Sequence, residues 1–582
     1  MLFFSALSLL TVVGASATHL RHARGHGSYG WRHSSNGSTT LGSTVQSTTT
    51  TSSSTSFSAQ STSSPSTPST GVRVEDASAS ATNTNGVMLQ GFEWYVKKDS
   101  QHWNRLNGQL SKLSEIGIDR IWTPPATKAG ASESTGYDVY DLYDLGEFDQ
   151  KGQVATSYGT KAELVALSQN ASAFGISLLA DGVLNQRSGA DAATPCQAHK
   201  VNPTNRLESI SDSQQISAWV SYTFPGRDGQ YSDYTYGCND FSAIDYDDIT
   251  KESAIWKIEG TDNGFATDVS TENGNYDYLV LADVAYLNPA LQEEVKGWGV
   301  WVTEQLSLSG FRLDAAKHIH QAFLSDWIHN LKSRAGNEDM LFVAEYLTGD
   351  PSVVKSFTDG FEDQISVFDT PLQTAFHNFA MRSSTDLRTI FDDTWLATSP
   401  EQAVTYVMNH DTQEGQALSS LIVEGSFLPL AYAFILLREA GYPCIFYADL
   451  YGQYDGSGIF TAPPYAKEIA DLALARKYFA YGTQTDYFDQ ANVVGWTRQG
   501  DDSHAGLAVV VNNGDSGDLS LNMNVGSQHA GEEWTSLFGG TGSVTIAADG
   551  TATFVAGAGT INMYTIADAT QRGEFDSWDS SI

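Results

Sequence analysis

The sequence contains few cysteines, few basic residues and, beyond its first residues, no long apolar run. Only 3 of its 582 residues are cysteine, which is too few for a disulfide scaffold or a cysteine-based zinc site. Its 32 lysines and arginines stand against 68 acidic residues, for a net charge of −36. This balance argues against nucleic acid and anionic membranes as partners. A neutral or cationic ligand fits the charge better.

The three cysteines divide into a pair and a single residue. An oxidising compartment permits one disulfide, and we expect it between Cys196 and Cys238. Cys444 lies in GYPCIFYADL, a run that is typical of a buried strand. We therefore expect Cys444 to be a free thiol in the core.

The N-terminal part differs in composition from the rest of the chain. Residues 1–17, MLFFSALSLLTVVGASA, are apolar and end in small residues, which predicts a secretory signal peptide. A membrane anchor is the alternative, but the apolar part is short for a span. Residues 18–83 begin basic and become rich in serine and threonine, so we expect a disordered, O-glycosylated linker. Asn36 and Asn170 lie in N-glycosylation sequons.

From residue 84 to 484, short β-rich runs alternate with amphipathic helical runs such as HWNRLNGQLSKLSEIG. Eight such units in succession predict an α/β fold, a parallel (β/α)8 or TIM barrel. The predicted strands are 87–94, 119–125, 177–183, 310–315, 341–346, 364–369, 403–410 and 444–449.

The barrel pattern is interrupted once and is followed by a different pattern. A long segment rich in Gly, Asp and Tyr separates the third strand from the next helix. The barrel is therefore predicted in two parts, 84–183 and 289–484, with a small β-rich domain inserted at 184–288. Residues 485–568 have only strand-type patterns and predict a C-terminal antiparallel β-sandwich. We expect residues 569–582 to form a loose tail.

Acidic residues stand at the ends of several predicted strands. They are Asp181 after the third strand, Asp314 at the fourth, Glu345 at the fifth and Asp411, after His410, at the seventh. The carboxyl ends of barrel strands meet at one mouth, where active sites lie. Polar capping of the barrel would explain one such acid. Several acids with basic neighbours favour an active site.

Arg312 and Asp314, in GFRLDAAKH, would point to the same side of a strand. Because a buried charge needs a partner, they form either a structural ion pair or part of a cleft, and the other acids favour the cleft. Arg312 would keep Asp314 ionised, as a nucleophile requires. Glu345, in apolar LFVAEY, would be protonated and act as general acid/base. Two such carboxyls about 5–5.5 Å apart cleave glycosidic bonds with retention.

The motifs ADGVLNQ, GFRLDAAKH, VAEY and MNHD occur in the order of the four signature regions of the α-amylase family of glycoside hydrolases, which the chain resembles. The segments FEWY, GYDVYDLYDLGEF, YGTK, NYDYLVLADV and GYPCIFYADLYG are similar to those of the liquefying bacterial and related fungal α-amylases. The resemblance runs from about residue 87 to 566. Each motif alone is weak, but all of them in order are specific.

The resemblance implies roles for individual residues. Asp314 would be the nucleophile, Glu345 the general acid/base and Asp411 the residue that stabilises the transition state. The residues implied in substrate binding are Arg312, His410, Tyr137, Gln186, Lys317 and His318, the last two on the leaving-group side. For Tyr137 the alternative is an ordinary core tyrosine.

One signature position departs from the family pattern. The first region normally ends in Asn-His, whereas here Gln186 stands in the place of the histidine. Glutamine can donate and accept hydrogen bonds but cannot be cationic. We therefore expect weaker sugar binding at the cleavage site or an altered product pattern.

The resemblance also implies a calcium ion between barrel and insertion. Its ligands would be Asn185, Asp277, Asp283 and the backbone carbonyl of His318, oxygen donors of the kind that Ca²⁺ prefers. Without the resemblance, solvated acids would be the better interpretation. Close relatives have further acids where this chain has Ala285 and Leu287, so we expect a single ion.

Taken together, the resemblance implies a secreted, endo-acting α-amylase that hydrolyses internal α-1,4-glucosidic bonds of starch or glycogen with retention, through a glycosyl-enzyme intermediate. Two alternatives stay open. One is an enzyme that transfers glycosyl units or processes α-glucan in a cell wall. The other is a non-catalytic glucan-binding protein, for which Gln186 is the only support. We expect a monomer, extracellular or attached to the wall, with an α-glucan as its partner and neither nucleic acid nor a membrane span.

Overall fold

The computed structural model describes residues 85–382, 385–538 and 542–582. The predicted signal peptide, the predicted linker and Asn36 lie outside the described residues. The described chain forms a barrel, an inserted antiparallel sheet and a C-terminal β domain.

Eight parallel strands close into a barrel, which confirms the predicted (β/α)8 fold. The strands are β1 (Val87–Gln90), β2 (Ile118–Trp122), β3 (Ser177–Gly182), β4 (Gly310–Leu313), β5 (Leu341–Ala344), β6 (Ser366–Phe368), β7 (Ala403–Tyr406) and β8 (Tyr442–Phe446). Each strand pairs with its neighbours in sequence, and β1 pairs with β8. Helices cover the outside of the sheet while side chains fill the inside, so strands such as VMLQ are buried along their whole length.

Ten α-helices occur in the described part of the chain. They are α1 (His102–Glu115), α2 (Lys161–Ala173), α3 (Pro289–Leu306), α4 (Gln321–Ala335), α5 (Pro351–Thr358), α6 (Thr370–Ala380), α7 (Trp395–Thr398), α8 (Phe427–Leu436), α9 (Tyr447–Tyr451) and α10 (Ala466–Tyr478). Local sequence sets where several of them begin. Thr160 and Glu163 form a capping box at α2, and Asn288 caps α3 just before a proline in its first turn.

The insertion after β3 is a seven-stranded antiparallel sheet. Its strands are Gln186–Arg187, Ala192–Asn202, Asn205–Ser209, Gln214–Ser221, Phe241–Asp247, Glu252–Ile258 and Ala282–Val284. The predicted disulfide between Cys196 and Cys238 is confirmed, and it links the longest of these strands to the turn before Phe241. Cys444 is a free, buried thiol on β8, also as predicted.

The C-terminal domain consists of two antiparallel sheets. One contains Gln484–Tyr487, Val493–Arg498, Leu507–Asn512, Glu533–Ser536, Ser543–Thr545 and Thr560–Ile566, and the other pairs Leu519–Asn524 with Thr551–Ala556. Alternate residues of both sheets, including Val510, Met523, Trp534 and Phe554, share one apolar core.

Residues 569–582 differ from the loose tail that we expected. The Trp578 ring is buried, packs against Tyr451 in a tilted arrangement and donates its indole N–H to the Leu450 carbonyl at 3.3 Å. The Asp576 N–H binds Asp471 on α10 at 2.9 Å. The Phe575 ring also stacks on Phe479, so a few aromatic and backbone contacts anchor a segment whose composition is otherwise polar.

The strands are shorter than predicted at their carboxyl ends. β1 stops at Gln90 instead of 94, β7 at Tyr406 instead of 410, and β8 at Phe446 instead of 449. Helix α9 follows β8 directly, and the chain beyond β7 brings His410 against the Tyr137 ring. Among the residues that the structure describes, no helix has both the length and the apolar character of a membrane span.

Candidate active site

The barrel register brings the strand-end acids together. Arg312 on β4 lies beside Asp181 on β3 and beside Val343 on β5. Asp314 follows directly after β4 and Glu345 directly after β5, so both side chains emerge at the same height.

Arg312 is the centre of this cluster. Its guanidinium is 2% exposed and donates to Asp181 at 2.9 Å and to Asp314 at 2.6 Å. Its second terminal nitrogen lies 2.8 Å from the Glu345 carboxylate. The predicted cleft is therefore supported, but the expected pairing of Arg312 with Asp314 alone is too simple, because one cation serves three carboxylates.

Burial has the largest effect on the pKa values of three of these acids, Asp314, Asp181 and Asp411. It raises the pKa of Asp314 well above the ordinary value; repulsion from Glu345 and Asp181 adds to the shift and Arg312 opposes it. Burial also raises the pKa of Asp181. The pKa of Asp411 rises to about 7 through burial and then repulsion from Glu345. Arg312 lowers the pKa of Asp314, in the direction that we expected, but burial has the larger effect.

Three parallel rings form one wall of the mouth. Tyr137 stacks on His410 at 5.2 Å between ring centroids and on Trp94 at 5.8 Å. The Tyr137 hydroxyl donates to Asp181 at 2.9 Å. Burial lowers the pKa of His410 well below its usual range, with Arg312 adding to the shift, so the ring that lies 3.6 Å from Asp411 is neutral. Tyr137 therefore lies in the site rather than in the core.

Gln186 lies behind this wall. Its side-chain amide donates to the Tyr137 carbonyl at 3.0 Å. Its carbonyl oxygen is buried and accepts no hydrogen bond among the described residues.

Lys317 and His318 lie on the other side of Asp314. Lys317 binds Glu272 of the insertion at 3.0 Å and the Leu347 carbonyl at 3.0 Å. His318 is bonded through Nδ1 to the Tyr276 carbonyl at 2.7 Å. Burial lowers the pKa of His318 well below its usual range, so the ring is neutral and Nδ1–H donates. A cavity of about 290 Å³ opens beside Lys317 and is lined by Tyr346 and Phe357.

The expected metal ligands lie where the insertion meets the barrel. Asp277 and Asp283 are 6% and 1% exposed, and Asn185 contacts Asp283 at 3.1 Å. Burial raises the pKa of both carboxyls, and for Asp283 the charge of Asp277 adds to the shift. In residues 85–382, 385–538 and 542–582, no three acidic, histidine or cysteine side chains converge as a metal site. A cation here would need the Asn185 amide and backbone oxygens as well.

Some residues of the site did not stand out in the sequence. Asp181 was predicted at the mouth but not as a site residue; its side chain is fully buried and binds Arg312, Tyr137 and the Trp122 indole N–H. Trp94 was noted only as part of FEWY. The signal for Asp181 in the sequence is its place at the end of the third predicted strand, and the barrel register identifies Arg312 as the cation beside it.

Acids gathered around one arginine at the mouth of a (β/α)8 barrel have the arrangement that glycosidic-bond cleavage uses. Residues 95–471 match the family model described as the α-amylase catalytic domain. The chain therefore belongs to the α-amylase family, and it is a glycoside hydrolase that acts on α-glucans.

Individual relatives agree with this assignment. The chain is 42% identical over 492 residues to an α-amylase of Bacillus licheniformis, covering 84% of this chain and 95% of the relative. It is 38% identical to a cytoplasmic α-amylase of Escherichia coli, covering 83% and 99%. An α-amylase structure from Malbranchea cinnamomea shares the fold, with a TM-score of 0.53 at 17% identity, over 83% of this chain and 96% of that one.

Proposed function

We propose that this protein is an endo-acting α-amylase that hydrolyses internal α-1,4-glucosidic bonds with retention. The observation that carries the proposal is the Arg312 guanidinium, which touches both Asp314 and Glu345. A nucleophile and an acid/base held by one buried cation suit double displacement.

In the proposed reaction, Asp314 attacks the anomeric carbon as the carboxylate. Glu345 gives its proton to the departing glycosidic oxygen, and the bond to that oxygen breaks. Glu345 then accepts a proton from water, which displaces Asp314 and restores both groups. Asp411 stabilises the positive charge that develops on the sugar, and Arg312 keeps the carboxyls at a fixed spacing.

The substrate would lie against the wall of rings. Tyr137 offers an aromatic face, and His410 and Gln186 offer hydrogen bonds to hydroxyl groups. The leaving chain would extend over Lys317 and His318, where the 290 Å³ cavity provides room. An open mouth of this kind accommodates a polymer on both sides of the cleaved bond.

We infer a single calcium ion at Asn185, Asp277, Asp283 and the His318 carbonyl. Two adjacent buried carboxyls fit a hard divalent cation. Such a cation would neutralise their charge and link the insertion to the barrel near His318. In the calcium-loaded parent, a chelator should lower Tm, whereas in Asp283→Asn it should have little effect. Equal chelator sensitivity of both proteins would exclude this site.

We propose secretion and a monomeric state. The disulfide suits an oxidising compartment, and Asn170 is exposed on α2 for glycosylation. The relative from Escherichia coli is named cytoplasmic, so the compartment is not a property of the whole family. Culture-medium fractionation and light scattering test both points.

The deciding experiment measures reducing ends released from soluble starch by the parent and by Asp314→Asn, with product sizes. Mixed oligosaccharides from the parent and none from the variant support hydrolysis. Longer products formed from a short maltooligosaccharide would favour the glycosyl-transfer alternative. An inert parent that still binds glucan would favour the binding protein.

A further inference from the structure

Glu93 is a buried acid that the proposed reaction does not use. It follows β1 in FEWY and is 1% exposed. Its carboxylate accepts three N–H groups from three loops: the Gln413 side chain at 2.6 Å, the Tyr95 backbone at 2.7 Å and the Tyr454 backbone at 3.4 Å. These loops follow β7, β1 and β8, so one carboxylate joins three neighbouring strand ends.

Gln413 extends this junction to the site. Its side-chain carbonyl accepts the Trp94 backbone N–H at 2.9 Å, and the Trp94 ring stacks in the wall of the mouth. Two residues before Gln413 lies Asp411, whose N–H binds the Asn409 side chain at 3.0 Å in a tight turn. A shift of Gln413 would therefore move both Asp411 and Trp94.

The junction is unfavourable for folding when Glu93 is ionised. Burial raises the pKa of Glu93 from 4.5 to about 7, and the three hydrogen bonds only partly oppose the shift. Lys98 is the cation that faces it. The phenols that face it belong to Tyr95, Tyr158 and Tyr447, and since their pKa values are raised they stay neutral below pH 9.

We propose that Glu93 is a positioning residue, which fixes the loops after β1, β7 and β8 against one another so that Trp94 and Asp411 stay in place. Glu93 is present at this position although its ionised form lowers the stability of the folded protein. Sites that work against stability are common where function requires them. The proposal rests on the proposed function, because Asp411 acts there.

Glu93→Gln tests the proposal because its shape is retained. The glutamine oxygen can still accept from Gln413, but its NH₂ group then faces the Tyr454 N–H, so the β8 contact is lost. We expect kcat/KM on soluble starch at pH 8 to fall roughly tenfold, the effect of losing one charge-assisted hydrogen bond, mainly through kcat. Tm should not fall.

The pH dependence of Tm separates positioning from a structural role. The stability linked to Glu93 is fully present below pH 4.5, its unfolded pKa, and is lost as pH rises through about 7. Parent and Glu93→Gln should therefore have equal Tm at pH 4.5, and the variant should have the higher Tm at pH 8.

Asp471→Asn is the matched control. Burial raises the pKa of Asp471 to about 6, but it lies on α10 and binds the Asp576 N–H. Its variant should raise Tm at pH 8 as well, without changing activity. A Glu93→Gln variant that loses activity in proportion to Tm, or that keeps full activity, would overturn the proposal.

A binding measurement makes the result independent of turnover. Affinity for maltoheptaose is compared between Asp314→Asn and the double variant Asp314→Asn/Glu93→Gln. A weaker double variant supports positioning, and equal affinity with unchanged kcat in the single variant refutes it. An inert parent would refute the proposed hydrolysis, while this comparison would still report on Glu93.

Discussion

Replacing Arg312 with lysine tests whether one planar cation organises the acid cluster. The charge is kept, but a lysine ammonium is a point donor and cannot hold three carboxylates in a fixed fork. Arg312 contacts Asp181, Asp314 and Glu345 at 2.6–2.9 Å. It also lies 5.0 Å from the centre of the Trp122 ring, a contact that favours the flat guanidinium.

The expected magnitude follows from these contacts. A hydrogen bond to a charged group contributes about 1.5–3 kcal/mol, and lysine would keep one of the three. Losing two would cost about 3–6 kcal/mol, divided between folding and the transition state. If about 3 kcal/mol is lost from the transition state, kcat/KM falls by roughly 100-fold.

The assay compares kcat/KM on soluble starch and Tm for the parent, Arg312→Lys and Arg388→Lys. Arg388 binds Asp386 in an exposed pair, so its variant should behave like the parent. If Arg312→Lys keeps more than a tenth of the parental kcat/KM, the cluster does not depend on the arginine fork and the reasoning fails.

Three further outcomes are expected. Asp411→Asn should abolish starch hydrolysis. The variant should also change stability, because burial raises the pKa of Asp411 from 3.8 to about 7. Ionisation of Asp411 therefore destabilises the folded protein increasingly as pH rises from about 4 to 7. The variant should therefore be more stable than the parent by roughly 2–4 kcal/mol at pH 8 and no more stable near pH 4 in urea titrations; lower stability at pH 8 would contradict this. Gln186→His should change KM for starch about two- to tenfold, or shift the product sizes, because one hydrogen-bonding group is replaced; identical KM, kcat and products would show that this position is silent. Trp578→Ala should destabilise the fold by about 3 kcal/mol in urea titrations while leaving kcat unchanged, and no change in the urea midpoint would mean that the C-terminal segment does not contribute to stability.

Periodicity and motif order were sufficient for the barrel and the insertion, and the small number of cysteines for the disulfide. Apolar runs such as VMLQ and GFRL are short and bounded by turn residues, so their existence could be predicted well. The carboxyl ends of these strands could not be predicted, because Glu93 and His410 continue the strand pattern in the sequence although both lie beyond the last strand residue. The sequence also places Arg312 near Asp314, but only the register shows that Asp181 and Glu345 share it.

The segment around Trp578 is ordered although its composition predicts a loose tail. A polar, acidic composition predicts disorder, since most of the residues have little apolar surface to bury. Two aromatic residues, Trp578 and Phe575, and the Asp576 N–H anchor it through contacts with Tyr451, Phe479 and Asp471. Single anchoring residues carry no periodicity, so only the three-dimensional neighbours reveal them.

Closure of the barrel has a consequence for how the chain folds. The pairing of Met88 with Cys444 joins the first strand to the last, so the sheet cannot close until almost the whole barrel has been synthesised. Such long-range contacts slow folding because the entropy of a large loop must be lost first. Lys112 on α1 also binds Asp579 at 3.2 Å, which ties the first helix to the final residues. During synthesis the edge of β1 that pairs with β8 would stay unpaired until β8 has been made. We therefore expect folding yield to depend on chaperones that shield this edge.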